Sequence, residues 1–274
     1  MKKYKILDIN LDPLTVAEAE ENISTLLNCQ KEFTVTTVNT EFIIKAQTNP
    51  EFKKYLNNFS TLNLADGAGV IWAGKFLSFK ELDLPVLREI IIFLQWLGTI
   101  LLIPTFPRLL KGPIPEKITG SDFVWNLARL AQKENLRIFL LGGKDTVAER
   151  AALKLQTDIY GLKLAGVSSF DPAQTEQALE AINRTRPDLL FVAYGCPTQE
   201  LWLQENLKKT TAKLGIGLGG TFDFLAETRK RAPAWMQHSG LEWLFRLFQE
   251  PRRLGRQLTI PHFMYLILLD KLKK

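Results

Sequence analysis

"LRIFLLGGKDTVAERAALKLQTDIY" (Leu136–Tyr160) reads as three pieces: a continuous apolar run, a glycine pair and an amphipathic segment beginning near Asp145. A short apolar run without alternation suits a strand buried on both faces, and the segment after the glycines has the spacing of a helix. Parallel strands need a crossover of this kind, because their ends lie at opposite edges of the sheet. The fold class therefore turns on whether the unit repeats.

It repeats along most of the chain. FTVTTV (33–38), STLNLAD (60–66), LKLAGV (162–167), DLLFVAYG (188–195) and KLGIGLGG (213–220) are further strand patterns, several ending in glycine. TVAEAEENISTLLN has Thr15 as a candidate N-cap, and SDFVWNLARLAQKEN sets Phe123, Leu127 and Leu130 at helical spacing after Ser121 or Asp122. PAQTEQALEAINRTR follows the same logic. The pattern predicts an α/β fold over 1–220, with a mostly parallel, Rossmann-like sheet covered by helices on both faces. An apolar helical insert at about 77–114 and a helical C-terminal appendage at 221–274 break the alternation.

The 274 residues are 46% hydrophobic and 23% charged, as expected of a globular chain with a sizeable core. The start, MKKYKILDINLDP, lacks the continuous apolar stretch of a secretory signal, which predicts a cytoplasmic location. Cys29 and Cys196 stand far apart without CxxC spacing and read as buried free thiols. The net charge of +6 is unevenly placed: from Arg229 onward ten Lys/Arg face three acids, and the rest of the chain is nearly neutral. Such a segment suits anionic lipid or a phosphorylated ligand, and nucleic acid is disfavoured because no groove-reading motif accompanies it.

In an open parallel sheet ligands bind beyond the carboxyl ends of the strands. Three of those ends are glycine-rich, with Gly142 and Gly143, Gly195, and Gly219, which favours a nucleotide-sized ligand over three unrelated tight turns. GxxxxGK[ST] does not occur, and the single GxGxxG, Gly215–Gly220, falls inside the last strand pattern with no further strand after it, so a Walker loop and a standard dinucleotide site are poorly supported. Asp66, at the end of an apolar run, is either a helix cap or a general base. Thr37 and Asn39 end another strand, with cap, turn and cleft-facing roles all open. His238 and His262 form no ligand pattern and no DxD occurs, so cationic side chains must neutralise any bound phosphate.

The basic segment supplies such cations. In "RKRAPAWMQHSGLEWLFRLFQEPRRLGRQL", Leu241, Leu244, Phe245 and Phe248 make one helix face for the core to bury. Trp235, Trp243, Arg246, Arg252, Arg253 and Arg256 surround it, a mixture suited to a lipid interface or a diphosphate as well as to a docked terminal helix. The second apolar feature is "EIIIFLQWLGTILLIPTFPRLL" (Glu89–Leu110). Its uninterrupted part, Ile90–Ile103, is fourteen residues, or about 21 Å of helix against ~30 Å of bilayer hydrocarbon, too short for a comfortable span.

Taken in order, "TVNTEF", "LADGAGVIWAGKF", "ITGSDFVWNLA", "FLLGGKD", "GCPTQELW" and "GTFDFLAETRKRAPAWMQHSGLEWLFRLFQEPRR" resemble the WecG/TagA/CpsF family of bacterial glycosyltransferases. The resemblance runs from Thr37 to Arg256. It implies a metal-independent, inverting transfer of a sugar, most often N-acetylmannosamine, from a UDP donor to a polyprenyl-diphosphate-linked sugar. A hexose or uronic acid donor and a non-catalytic nucleotide-sugar sensor are the alternatives. The family's catalytic aspartate matches Asp66. Its T-x-N motif matches Thr37 and Asn39 near the donor sugar, its PxQE motif matches Gln199, and its FD motif puts Asp223 near the uridine.

Arginines of the family's appendage match Arg231, Arg246, Arg253 and Arg256, which would meet the diphosphate at the membrane. The implied partners are the donor, the lipid-linked acceptor and the membrane surface, with no cofactor, no metal and no nucleic acid; a homo-oligomer stays open. The implied place is the cytoplasmic face of the plasma membrane, held peripherally in cell-surface polysaccharide synthesis. Two departures stand out. Glu227 replaces the family's usual glycine after FDxxA, and the insert replaces a much shorter connection. Beside a membrane-bound acceptor, the Ile90 stretch reads as a helix in the interface, with burial against the core as the alternative.

Overall fold

The structure, a computed structural model, describes residues 3–29, 31–80 and 87–273. The side chain of Arg253 and the part of the insert at 81–86 lie outside the described residues. An antiparallel hairpin, β1 (Tyr4–Ile6) and β2 (Ile9–Leu11), comes first. It is followed by β3 (Phe33–Val38), β4 (Leu62–Ala65), β5 (Arg137–Gly142), β6 (Lys163–Ser168), β7 (Leu189–Ala193) and β8 (Leu214–Gly217). The last six form one parallel sheet in the order β4-β3-β8-β7-β5-β6. Each coincides with one of the strand patterns in the sequence; five are almost wholly buried, which leaves no polar face to show, and the edge strand β6 is only half-buried.

Helices cover both faces. Val16–Leu27, Gly120–Lys133 and Val147–Asp158 pack on one, where Val35, Leu64, Ile138, Leu140, Phe191 and Ile216 supply the sheet's contribution. On the other, Thr175–Thr185 and Thr198–Asn206 pack on Phe139, Leu141, Leu190 and Val192. Beside these, Thr40–Thr48, Ala68–Leu77, the insert helix Arg88–Thr105 and the C-terminal helix Thr259–Leu272 share a further core around Trp72, Phe76 and Phe263. Thr15 caps its helix with a reciprocal Glu18 bond. The helix expected to follow Ser121 or Asp122 follows Thr119 instead, two residues before the first of these caps.

The β1–β2 hairpin, which is not among the strand patterns of the sequence, has no glycine signal: Leu7 and Asp8 make its turn with φ of +46° and +63°, and the burial of Ile6, Ile9 and Leu11 offsets that conformation. Two expectations are corrected. The insert helix has 18 residues, about 27 Å, long and apolar enough by length and composition to cross a membrane. It gains a turn's worth of residues at its ends, because Arg88 and Glu89 open it and Pro104 is taken into the last turn. Cys29 is exposed beyond a helix end and Cys196 is half-buried; both thiols are free.

Candidate functional site

The strand order decides where a ligand can sit. From β3 the chain steps outward to β4, then crosses to β5 on the far side of β7, so the ends of β3 and β8 diverge beneath their connecting loops. A cavity of ≈ 340 Å³ opens there, within the size range of small-molecule sites. Thr37, Asn39, Asp66, Gly195, Gln199 and Gly219 line it, along with Arg246 and Arg256 of the C-terminal segment.

Asp66 follows β4 directly, and the backbone excludes the capping role. Gly67, at φ +94°, swings the chain into the helix Ala68–Leu77, whose first turn receives no side-chain bond. The residue is half-buried in the cavity wall. Burial lifts its pKa from 3.8 to about 7; Glu242 adds to the rise, while Arg246, Lys117 and the Gly120 N–H oppose it. A carboxylate poised near neutrality can accept a proton from a hydroxyl and release it again.

Asn39 keeps its cap: Oδ1 accepts the Phe42 N–H at 3.2 Å, which fixes the amide at the cavity wall. Thr37 is buried beside Gly120, where an added Cβ would come within 3.0 Å of its Oγ1. Gln199 braces the floor. Its Oε1 accepts the Gly195 N–H at 3.0 Å, and its Nε2 donates to Glu200 Oε1 at 2.6 Å. Glu200 lies buried beneath β8, and burial raises its pKa to about 7.

Gly142 and Gly143 are not among the lining residues. They end β5, which β7 separates from β8, and they turn the chain against the Tyr194 ring and Val147. Asp223 is also outside the lining; its Oδ2 pairs with Arg229 Nη1 at 3.0 Å. Glu227 has φ +56°, a conformation glycine takes more readily, and points away from the cavity to Lys154 at 3.6 Å. The extra carboxylate therefore leaves the site's charge unchanged.

The C-terminal segment closes the cavity with an inverted helix. In Glu242–Gln249 the face expected to enter the core stays at the surface: Leu241, Leu244 and Phe245 are half-buried and Phe248 is 75% exposed. Its polar side turns inward, with Glu242 and Arg246 at the cavity. Arg246 Nη2 bonds Glu242 Oε1 at 2.7 Å, its guanidinium lies 4.8 Å over the Phe224 ring, and its buried Nε has no hydrogen-bond partner.

Arg256 grips Glu41 with Nε and Nη2 at 2.9–3.2 Å. Glu41 also pairs with Lys45, 2.8 Å away. Burial alone would raise the Glu41 pKa, but Lys45 and Arg256 together hold it below the usual carboxylate value. Arg231 is set back from the lining and reaches Asp122 at 2.7 Å and Gln237 at 2.9 Å. Each of these three arginines is thus paired with a carboxylate.

Glu41, Lys117 and Glu242 line the cavity without having been singled out from the sequence. Glu41 stands in the same TVNTEF run as Asn39, and Lys117 precedes Ile118, whose N–H binds the Ala65 carbonyl at the end of β4. Adjacency to Thr37 and Asp66 was the available signal. Among the described residues, no group of three or more His, Cys, Asp or Glu side chains is arranged to hold a metal ion.

Residues 4–86 and 102–274 match the glycosyl transferase WecG/TagA/CpsF family. The chain is similar to the N-acetylglucosaminyldiphosphoundecaprenol N-acetyl-beta-D-mannosaminyltransferase of Staphylococcus aureus strain MRSA252, 27% identical over 273 residues that cover 99% of this chain and 94% of the relative. Proteins of the same name in strains MW2 and NCTC 8325 are 26% identical over the same shares.

Proposed function

The chain belongs to the WecG/TagA/CpsF family of glycosyltransferases, and from that premise we propose that it transfers N-acetylmannosamine from a UDP donor to a polyprenyl-diphosphate-linked sugar. The observation that carries this reading is the meeting of Asp66, at a pKa of about 7, with Arg246 and Arg256 in one cavity at the strand ends. The names of the S. aureus relatives favour the mannosaminyl group and a lipid-diphosphate acceptor.

Asp66 takes the proton of the acceptor hydroxyl as that oxygen attacks the anomeric carbon. The bond from that carbon to the β-phosphate oxygen breaks, its electron pair leaves with UDP, and attack from the opposite face inverts the centre. Thr37, Asn39 and the Gln199-braced Gly195 loop hold the donor. The developing diphosphate charge falls to arginine forks, which match phosphate in two bonds. Arg246 keeps a free Nε for this, and Arg256 must exchange Glu41 for phosphate. The carboxylate pairs hold the arginines in place while no diphosphate is bound. Work at the cytoplasmic face of the membrane, where such an acceptor lies, is part of the same proposal.

A screen of UDP-sugars on a synthetic polyprenyl-diphosphate sugar, read by product mass, tests the proposal. One product, heavier by an N-acetylhexosamine and abolished by Asp66→Asn, is expected. A product from a hexose or uronic acid donor would correct the sugar, and donor binding without UDP release would replace the enzyme by a sensor.

A further inference from the structure

The family match omits residues 87–101, so most of the insert helix Arg88–Thr105 lies outside what the family shares. Its inner face is firmly held. Ile92, Thr99 and Ile103 are buried, Trp72 Nε1 donates to Thr99 Oγ1 at 2.9 Å, and Trp96 Nε1 donates to the Met264 carbonyl at 2.9 Å. Arg88 reaches the Leu272 carbonyl at 3.4 Å, while Ile103 and Ile260 both line the cavity. These contacts set the insert helix antiparallel to the C-terminal helix Thr259–Leu272. One end of the pair is at the cavity and the other is remote from it.

The outer face has no such partners. Ile90, Phe93, Leu94, Leu97 and Leu101 recur at helical spacing, and each is between 43% and 61% exposed. No ionisable side chain occurs from Ile90 to Pro107. Phe106 and Leu109 continue the exposed apolar surface beyond the helix, and Leu258, just before the C-terminal helix, and Tyr265 on it are exposed as well. So large an apolar surface marks an interaction site. Exposed cations flank it: Arg108 and Lys111 follow the insert helix, Arg252 and Arg256 precede the C-terminal helix, and Lys273 stands at the remote end. Glu89 and Asp270 are the acids on the two helices, both toward that remote end. Apolar side chains edged with positive charge complement an anionic bilayer surface, where aliphatic groups enter the acyl boundary and arginine and lysine meet phosphate headgroups.

We propose that the outer face of this helix pair rests in an anionic bilayer, so that its Ile103–Ile260 end presents the cavity to an acceptor held in that membrane. The acceptor part of this inference rests on the transferase reading; the docking part does not. Because the inner face is bonded to the domain, the helix lies along the surface instead of crossing it. Ile103, Ile260 and Met264, which line the cavity with Thr37, Asn39 and Gln199, then give it an apolar wall on the membrane side.

The test is flotation of the full-length protein with vesicles of equal parts phosphatidylglycerol and phosphatidylethanolamine, and with phosphatidylcholine vesicles. The wild type is expected to float with the anionic vesicles and less with the neutral ones. Leu94→Asp/Leu97→Asp/Leu101→Asp is expected to lose at least about tenfold in partitioning, since each leucine withdrawn from the acyl boundary removes several CH₂ groups. Leu101→Asp alone gives a smaller loss in the same direction and serves if the triple variant does not fold. Equal flotation of a folded variant and wild type overturns the proposal. So does a lipid-free wild-type dimer that the same change makes monomeric, which would give the face to a second copy.

Turnover separates the two readings. On an acceptor with a short, water-soluble tail both proteins should work equally, and on the long-chain acceptor in vesicles the variant should fall behind. If neither protein turns over any acceptor, the transferase reading fails, and flotation still decides the membrane face.

Discussion

The two walls of the cavity are built differently. The sheet-end wall, with Thr37, Asn39, Asp66, Gly195 and Gln199, takes its geometry from strand ends and buried hydrogen bonds. The wall from the C-terminal segment is held by arginine–carboxylate pairs that are partly open to water: Arg246–Glu242 and Arg256–Glu41. The first kind of wall moves only if the core moves. The second exchanges partners at small expense, because exposed ion pairs contribute little to stability. Fixed positioning with displaceable charge suits a site that must hold a donor still and then receive and release a diphosphate.

The sharpest break of this contrast is at Asp66. Asp66→Asn is expected to reduce UDP release by about a hundredfold to ten-thousandfold, the range for losing a general base. In the native enzyme kcat/KM should decline below about pH 7 as Asp66 is protonated. The same variant should be more stable. Burial raises the folded pKa above the unfolded one, so ionised Asp66 opposes folding fully above pH 7, less as the pH falls through that value, and not at all below its ordinary 3.8. A gain on the order of 2 kcal/mol near neutral pH, vanishing in acid, is expected from melts across that window.

Arg246→Ala should lower kcat on the lipid-linked acceptor by roughly a hundredfold, as for loss of one preorganised donor, with stability changed by less than about 1 kcal/mol. Unchanged turnover would make the C-terminal wall a cover without part in the chemistry. Gly217→Ala sharpens the rigid side: an added Cβ would meet Gln199 Cδ and Glu200 Oε1 at 2.6 Å. It is expected to destabilise by about 2 kcal/mol in denaturant unfolding, the usual penalty of overpacking. Glu41→Gln frees Arg256 and should lower the donor KM by up to about fivefold, the value of one exposed ion pair. Smallest, Glu227→Gly should stabilise by about 1 kcal/mol with activity unchanged, since the left-handed backbone there favours glycine.

Legibility in the sequence followed the range of the interactions. FTVTTV and LRIFLLGG became β3 and β5 because short runs rich in β-branched or apolar residues, too short for a helix, are stable when buried in a sheet, and Thr15 became a cap because its partner is three residues away. Asp66 and Thr37 were placed at strand ends from local pattern. The pairing of Glu41 with Arg256, 215 residues apart, left no trace in either neighbourhood. Nor did the inversion of Glu242–Gln249: the apolar period specifies a helix, but the burial of that helix depends on what faces it. Here the interior offers Arg231, Phe224 and Asp66, so the charged side turns in and Phe248 turns out.

By itself the sequence determined which six segments form the central sheet and most of the helices that join them, that those strands run parallel, and which motifs stand at their carboxyl ends. These follow from periodicity and from the requirement that parallel strands be joined by crossovers. Only the tertiary structure decided that β7 would separate the Gly142–Gly143 turn from the cavity, that three acids would occupy three arginines, and that the insert helix would bind the domain by one face and leave the other outward. Strand order and helix orientation are chosen by contacts between residues distant along the chain, and no local pattern contains both partners of such a contact.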